Sequence, residues 1–156
     1  MPKCTKMSDA ETARAWAVAL DSTASFPEVE LSACVLKDAA NENVTLLNSQ
    51  MRERLPLLNS TDENVLAITR KIAKSANEAK IDYDHKLWWF EEIQALREYT
   101  GTKLSFELRK IQKKEKKYQY DCELRRSQYS KMQDKTKEHH DKIAAKKHAR
   151  YVGINL

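Results

Sequence analysis

The chain has 156 residues, of which 41% are hydrophobic and 33% charged, and it carries a net charge of +5. That balance fits one ordinary domain but leaves limited apolar material for a compact core, which points to a thin, extended shape. Only two glycines, Gly101 and Gly153, and three prolines, Pro2, Pro27 and Pro56, occur, so tight hairpins lack raw material and glycine-rich phosphate loops of the Walker or dinucleotide-binding type are excluded.

Frequent Lys, Glu, Ala, Leu, Gln and Arg, which lose little freedom in a helix, make the expected fold mainly α, with short N-terminal helices followed by long coiled-coil-like ones. Ser8 and Glu11 form a capping-box pattern, and Ala10, Ala13, Ala17 and Leu20 follow at helical spacing beside Trp16, predicting a first helix from Asp9 to Asp21. Ser22–Pro27 breaks it. From Glu28 the helical pattern resumes through Leu31, Val35, Leu36, Ala39, Val44, Leu47, Met51 and Leu55, until Pro56 and Asn59 break it again. Residues 1–59 therefore read as an N-terminal helical region.

Ser60 with Glu63 repeats the capping pattern and opens a long coiled-coil helix over residues 60–100. Val65, Ile68, Ile72, Ala76, Ala79, Tyr83, Leu87 and Phe90 recur at steps of three and four, close to an eleven-residue repeat and hence a nearly straight seam. At 1.5 Å per residue, ~40 residues span about 60 Å, more than a small domain needs, so the length implies a partner strand. The run Leu87–Phe90 (LWWF) covers most of the helix circumference. It packs against the first two helices or serves as a hot spot for another subunit. The predicted partner-binding residues are Val65, Ile68, Ile72, Tyr83, Leu87, Trp88, Trp89 and Phe90.

After Gly101 two patterns compete. Leu104, Phe106 and Leu108 alternate, as do Tyr118, Tyr120, Cys122 and Leu124, which reads as a small β element with Lys113–Lys117 as its turn. Leu108, Ile111, Tyr118, Cys122, Tyr129, Met132, His139 and Ile143 equally fit heptad positions, interrupted by Glu115, Arg125 and Thr136. The helix is the preferred reading because the proposed turn lacks Gly, Asn, Asp and Pro; it continues to near Tyr151 and ends at Gly153. Charge is unevenly shared. Residues 1–102 carry 12 Lys/Arg against 16 Asp/Glu, a net −4, and residues 103–156 carry 16 against 7, a net +9. In this basic C-terminal region, residues 101–156, the candidates for binding an acidic polymer such as nucleic acid or a microtubule surface are Lys113, Lys114, Lys116, Lys117, Arg125 and Arg126. A solvated helix face explains the same charges. Membrane binding is not expected, since no Trp/Phe/Leu-rich face accompanies the basic residues.

No nucleophile elbow is present. His85, His139, His140, His148 and the three cysteines lack the paired short spacings of a zinc site, and the carboxylate pairs Glu91–Glu92 and Asp82–Asp84 read as solvating charge. The expectation is a chain that is not an enzyme and uses no cofactor or metal. Cys4, Cys34 and Cys122, an odd number without CxxC pairing, predict free thiols in a reducing compartment, and with no apolar leader in Met1–Ser8 the expected location is cytoplasm or nucleus.

Trp88–Gln112 (WWFEEIQALREYTGTKLSFELRKIQ), followed by Tyr118–Leu124 (YQYDCEL), resembles the junction in the small coiled-coil subunits of the outer-kinetochore microtubule-binding complex. There a long helix ends in a leucine- or threonine-glycine turn and enters a short α/β globular end. The resemblance covers about a quarter of the chain. It implies a structural role in chromosome attachment through helix pairing with a sibling subunit, at a kinetochore, spindle or other cytoskeletal structure, without a cofactor. Residue patterns alone give the same class: a structural or adaptor subunit that pairs with coiled-coil subunits or with itself. The rival reading is a basic helical nucleic-acid-binding protein that uses Lys103–Arg150.

Overall fold

The computed structural model describes residues 7–132 and 134–153; the expected thiol at Cys4 lies outside them. Helix dominates, and no strand occurs among the described residues. The chain divides into two compact units, Met1–Glu98 and Tyr99–Leu156.

In the first unit, α1 (Asp9–Ala19) begins at the capping box read from the sequence: Ser8 Oγ accepts from the Glu11 amide at 3.1 Å and Glu11 Oε1 from the Ser8 amide at 3.4 Å. The second helix, α2 (Phe26–Arg54), is capped by Ser25, whose Oγ accepts from the Glu28 amide. Pro27 sits in its first turn, where a missing N–H costs nothing, so the helix begins one residue before this proline and the expected break ends at Ser25. Leu55–Asn59 tightens into a 3-10 turn around Pro56, and α3 (Glu63–Ala95) follows, closed by a 3-10 turn at Leu96–Glu98. The predicted capping box of Ser60 and Glu63 does not form. Asp62 is the cap, its carboxylate accepting from the Asn64 amide at 2.9 Å, while Ser60 Oγ accepts from the Asp62 amide at 3.1 Å. A carboxylate favours the positive end of the helix dipole, and here it outcompetes the hydroxyl two residues earlier.

Three cross-links set α2 and α3 antiparallel: Arg54 reaches Thr69, Lys37 lies over the Phe90 ring, and Arg97 bonds Glu30. Within the chain, α3 is thus accompanied by α2. The core sits at the end where α1 joins them. There Ala19, Val29, Ala33, Leu36, Trp89 and Ile93 are fully enclosed, and Ser32 Oγ donates to the Ala15 carbonyl of α1. Beyond this cluster, the further buried residues of α3 among those described are Thr69, Ala79 and Lys86.

The second unit is a helical hairpin, α4 (Gly101–Tyr129) and α5 (Asp134–Tyr151). Tyr118 meets His148 and Tyr151, and Tyr129 meets His140 and Asp141, so the pair is antiparallel. The alternative β element is overturned, because Leu104–Leu124 is continuous helix. Lys113–Lys117 has no turn residue, and its lysines are good helix formers. One uninterrupted helix to Tyr151 is corrected too. Ser130–Met132 forms a turn closed by Lys131 N–H to Gln128 O and Met132 N–H to Tyr129 O, each 3.1 Å. Leu108 is buried, and Ile111, Tyr118, Cys122 and Tyr129 are partly covered, as the heptad reading expects. After the turn the register restarts. Lys137, His140, Ala144, His148 and Tyr151 are the partly covered stripe, and the expected His139 and Ile143 are exposed.

We expect Trp89→Ala to cost about 3–5 kcal/mol in denaturant unfolding followed by circular dichroism, the usual cost of emptying a large aromatic site. Leu31→Ala, on the exposed side of α2, should fall within about 0.5 kcal/mol of wild type. Equal effects would place the core elsewhere.

Candidate functional site

Of the predicted partner-binding residues on α3, Trp89 belongs to the core of its own unit. Its ring lies 5.8 Å from Trp16 of α1, which also stacks on His85 at 5.8 Å and 25°. Its indole Nε1 is enclosed with no acceptor in reach, so apolar packing alone holds it. Phe90 is half-buried beneath the Lys37 ammonium, 4.1 Å from the ring centroid, a cation–π arrangement. Leu87 and Trp88 are half-buried as well. Val65, Ile72 and Tyr83 lie partly covered, whereas Ile68 is 48% exposed. The inward stripe runs through Thr69 and Lys86 where the apolar pattern chose Ile68 and Leu87. Thr69 does so by donating to the Val65 carbonyl at 2.8 Å, and Lys86 by pairing with Asp82 at 2.7 Å.

At the far end of this unit the pattern singled out Ile68 but not the leucines of the neighbouring turn. Leu55 (53% exposed), Leu57 and Leu58 bracket Pro56 in the 3-10 turn, and Ile68 lies on the second turn of α3 at that same end. Four large apolar side chains stand in water there. A bracketed proline between leucines was the available signal.

A cleft of about 360 Å3 opens among α1, α2 and α3, lined by small residues and by Asp9, Glu78, Asp82 and Lys86. Asp82 is spoken for by Lys86, and Asp84 pairs with Lys80 at 3.4 Å. Among the described residues no three histidine, cysteine, aspartate or glutamate side chains converge as a metal-ligand set. Cys34 and Cys122 are free thiols. Burial and the neighbouring Asp38 carboxylate push the Cys34 thiol above its usual range, which lowers its reactivity.

In the second unit the predicted basic contacts scatter around α4. Lys113 and Lys117 are exposed on its outer side, while Lys114 stands 5.2 Å from the Tyr151 ring centroid. Arg125 turns back to the Asp121 carbonyl and the Cys122 sulfur; Lys116 and Arg126 are exposed elsewhere on the circumference. Opposite the lysines lies a polar interior. Glu115 is fully buried and accepts from the Tyr151 hydroxyl and from Gln119 Nε2 at 3.0 Å. Tyr118 stacks on Tyr151 with centroids 4.0 Å apart and planes 9° from parallel, and its hydroxyl lies 2.7 Å from His148 Nδ1. These donors and rings fasten α5 to α4. Burial pushes the Tyr118 hydroxyl well above its usual pKa, and the Cys122 thiol adds to the effect.

No family model, curated protein or solved structure matches this chain. Its site is read from its own geometry. No described helix is long and apolar enough to cross a membrane.

The raised Tyr118 pKa means that the folded second unit holds this proton more tightly than the unfolded chain does. Its contribution to stability is complete below the unfolded tyrosine value of about 10 and is lost as pH rises beyond it toward the folded value. Ultraviolet difference titration should show a late-ionising tyrosine that Tyr118→Phe removes. Separately, Tyr151→Phe takes one donor from a buried carboxylate and should cost about 1.5–3 kcal/mol in thermal unfolding.

Proposed function

We propose that the chain is a non-enzymatic structural or adaptor subunit of a multiprotein assembly, docking helical partners on apolar surfaces that its own fold leaves uncovered. The observation that carries this is the Leu55, Leu57, Leu58 and Ile68 cluster at the free end of the α2–α3 pair. Large apolar side chains left exposed near one another at a turn mark an interaction site more often than scattered single residues do. Covering the exposed part of four such side chains is worth several kcal/mol before the cost of association. Coiled-coil pairing with a sibling subunit, or with a second copy, is the mode we assign to it. The assembly we favour is cytoskeletal or kinetochore-like, on the strength of the Trp88–Gln112 likeness and the helix interruption at Gly101, whose φ is +58°. Where that family has an α/β end, this chain has the helices α4 and α5.

Leu55→Glu with Leu58→Glu should leave unfolding unchanged, both positions being exposed, and should abolish association. The check is sedimentation velocity of the purified chain, together with co-purification of a tagged copy from its native cell. Wild type should sediment as a dimer or with a stoichiometric partner, and the variant as a monomer. A monomeric, partnerless wild type that the variant matches would remove this reading.

A further inference from the structure

The outward side of α4 combines residues that the linear sequence keeps apart. Phe106, Lys110, Lys113, Lys117, Tyr120 and Leu124 follow at steps of 4, 3, 4, 3 and 4, which at ~100° per residue gathers them into an arc of about 80°. All six are exposed, Phe106 and Tyr120 to 65% each. Among the described residues none of the three lysines pairs with a carboxylate, and no acidic residue stands within that arc. Leu108, Gln112, Glu115 and Cys122, the side that faces inward, lie diametrically across the helix. A large ring at one end, three cations in the middle, and a ring with Leu124 at the other make a strip about 27 Å long at 1.5 Å per residue. The unit that bears it, Tyr99–Leu156, has a net charge of +9 from 16 Lys/Arg and 7 Asp/Glu.

We infer that this strip binds single-stranded nucleic acid, a function beyond the adaptor role. The lysine positions rise by about 4.5 and 6 Å along the axis, close enough to follow successive phosphates of an extended strand. Lysine serves here as a point charge that sets no sequence requirement. The exposed rings decide the occupant. Phe106 and Tyr120 offer faces on which bases stack, an interaction open to every base. A purely acidic polymer such as polyglutamate has no ring to place there, whereas every nucleotide brings one beside its phosphate. An anionic membrane would have to take Lys113 and Lys117, at the centre of the arc, into its apolar boundary, with too few apolar residues beside them to hold a helix.

The test uses the full chain and a fluorescein-labelled oligo(dT) of about 20 nucleotides, followed by anisotropy. Three phosphate contacts on a single strand give a slope near −2 in log affinity against log salt, so affinity should fall roughly twentyfold between 50 and 200 mM salt. Lys110→Ala, Lys113→Ala and Lys117→Ala together should abolish most of that slope. Phe106→Ala with Tyr120→Ala should weaken oligo(dT) binding at least tenfold and leave the slope in place. All five positions are exposed, and unchanged thermal unfolding confirms that the fold persists. Ring-independent binding, or equal binding of polyglutamate, would make the strip a general acid-polymer surface and overturn the inference. Preferential binding to vesicles of phosphatidylcholine and phosphatidylserine, or undetectable oligo(dT) binding at 50 mM salt, would overturn it too.

Discussion

Everything in the first unit depends on covering Trp89. A helix of eleven residues such as α1 is too short to persist alone in water, and its sequence gives it one large ring, Trp16, to offer. That ring lies against Trp89 while Ser32 holds the Ala15 carbonyl from the other side. Once α1 is seated, Leu36, Val29 and Ile93 have no exposed surface left. The bidentate Arg97–Glu30 pair next to this cluster is geometrically good, with contacts of 2.5 and 2.7 Å. The Arg97 side chain is largely in water, however, which limits an ion pair to about 1 kcal/mol. Burial of a single tryptophan outweighs it several-fold. Stability is therefore graded along the α2–α3 pair, greatest where three helices meet and least at the leucine-rich turn.

The second unit solves a different problem, because α4 and α5 have little aliphatic material. Their contact is built of stacked tyrosines and of polar pairs, Glu115 with Tyr151 and Tyr118 with His148, while Gln119 and Arg109 satisfy Glu115 and Gln112 from within α4 itself, the latter at 2.8 Å. Such an interface gains less from desolvation than an apolar one and more from alignment. Sliding α5 by one turn would separate Tyr151 from both Glu115 and the Tyr118 ring. The polar interior thus fixes register where apolar side chains would tolerate several.

Most of the helical chain, two of its breaks and the first cap were legible in the sequence because local rules decide them: Ser8 with Glu11, Pro27 in a first turn, Pro56 after a long apolar-periodic run. The inward face of α3 was legible only where it is hydrophobic. Thr69 and Lys86 satisfy their polar atoms within a turn of themselves, through Val65 and Asp82, and so pass inward unseen by a pattern of apolar letters. The turn at Ser130–Met132 was missed for the opposite reason. It contains no glycine or proline, and tertiary pairing of Tyr129 with His140 and Asp141 supplies what the local sequence does not. The adjacent lysines of Lys113–Lys117 are distributed around the helix, so they do not form one face. The arc from Phe106 to Leu124 needed steps of three and four counted through charged residues as well as apolar ones.

Two opposed faces on one helix also constrain how α4 tolerates change in length. One face is phased by the partners of Glu115 and Tyr118, the other by the ring-and-lysine strip, and both occupy the same stretch of backbone. Adding or removing a single residue between Gln112 and Tyr118 would turn everything beyond it by about 100°, so that neither face would remain continuous. The Ser130–Met132 turn carries no such double phase. A residue added or removed is therefore better absorbed at that turn, or at the leucine-rich one, than within α4, where composition can change more freely than count.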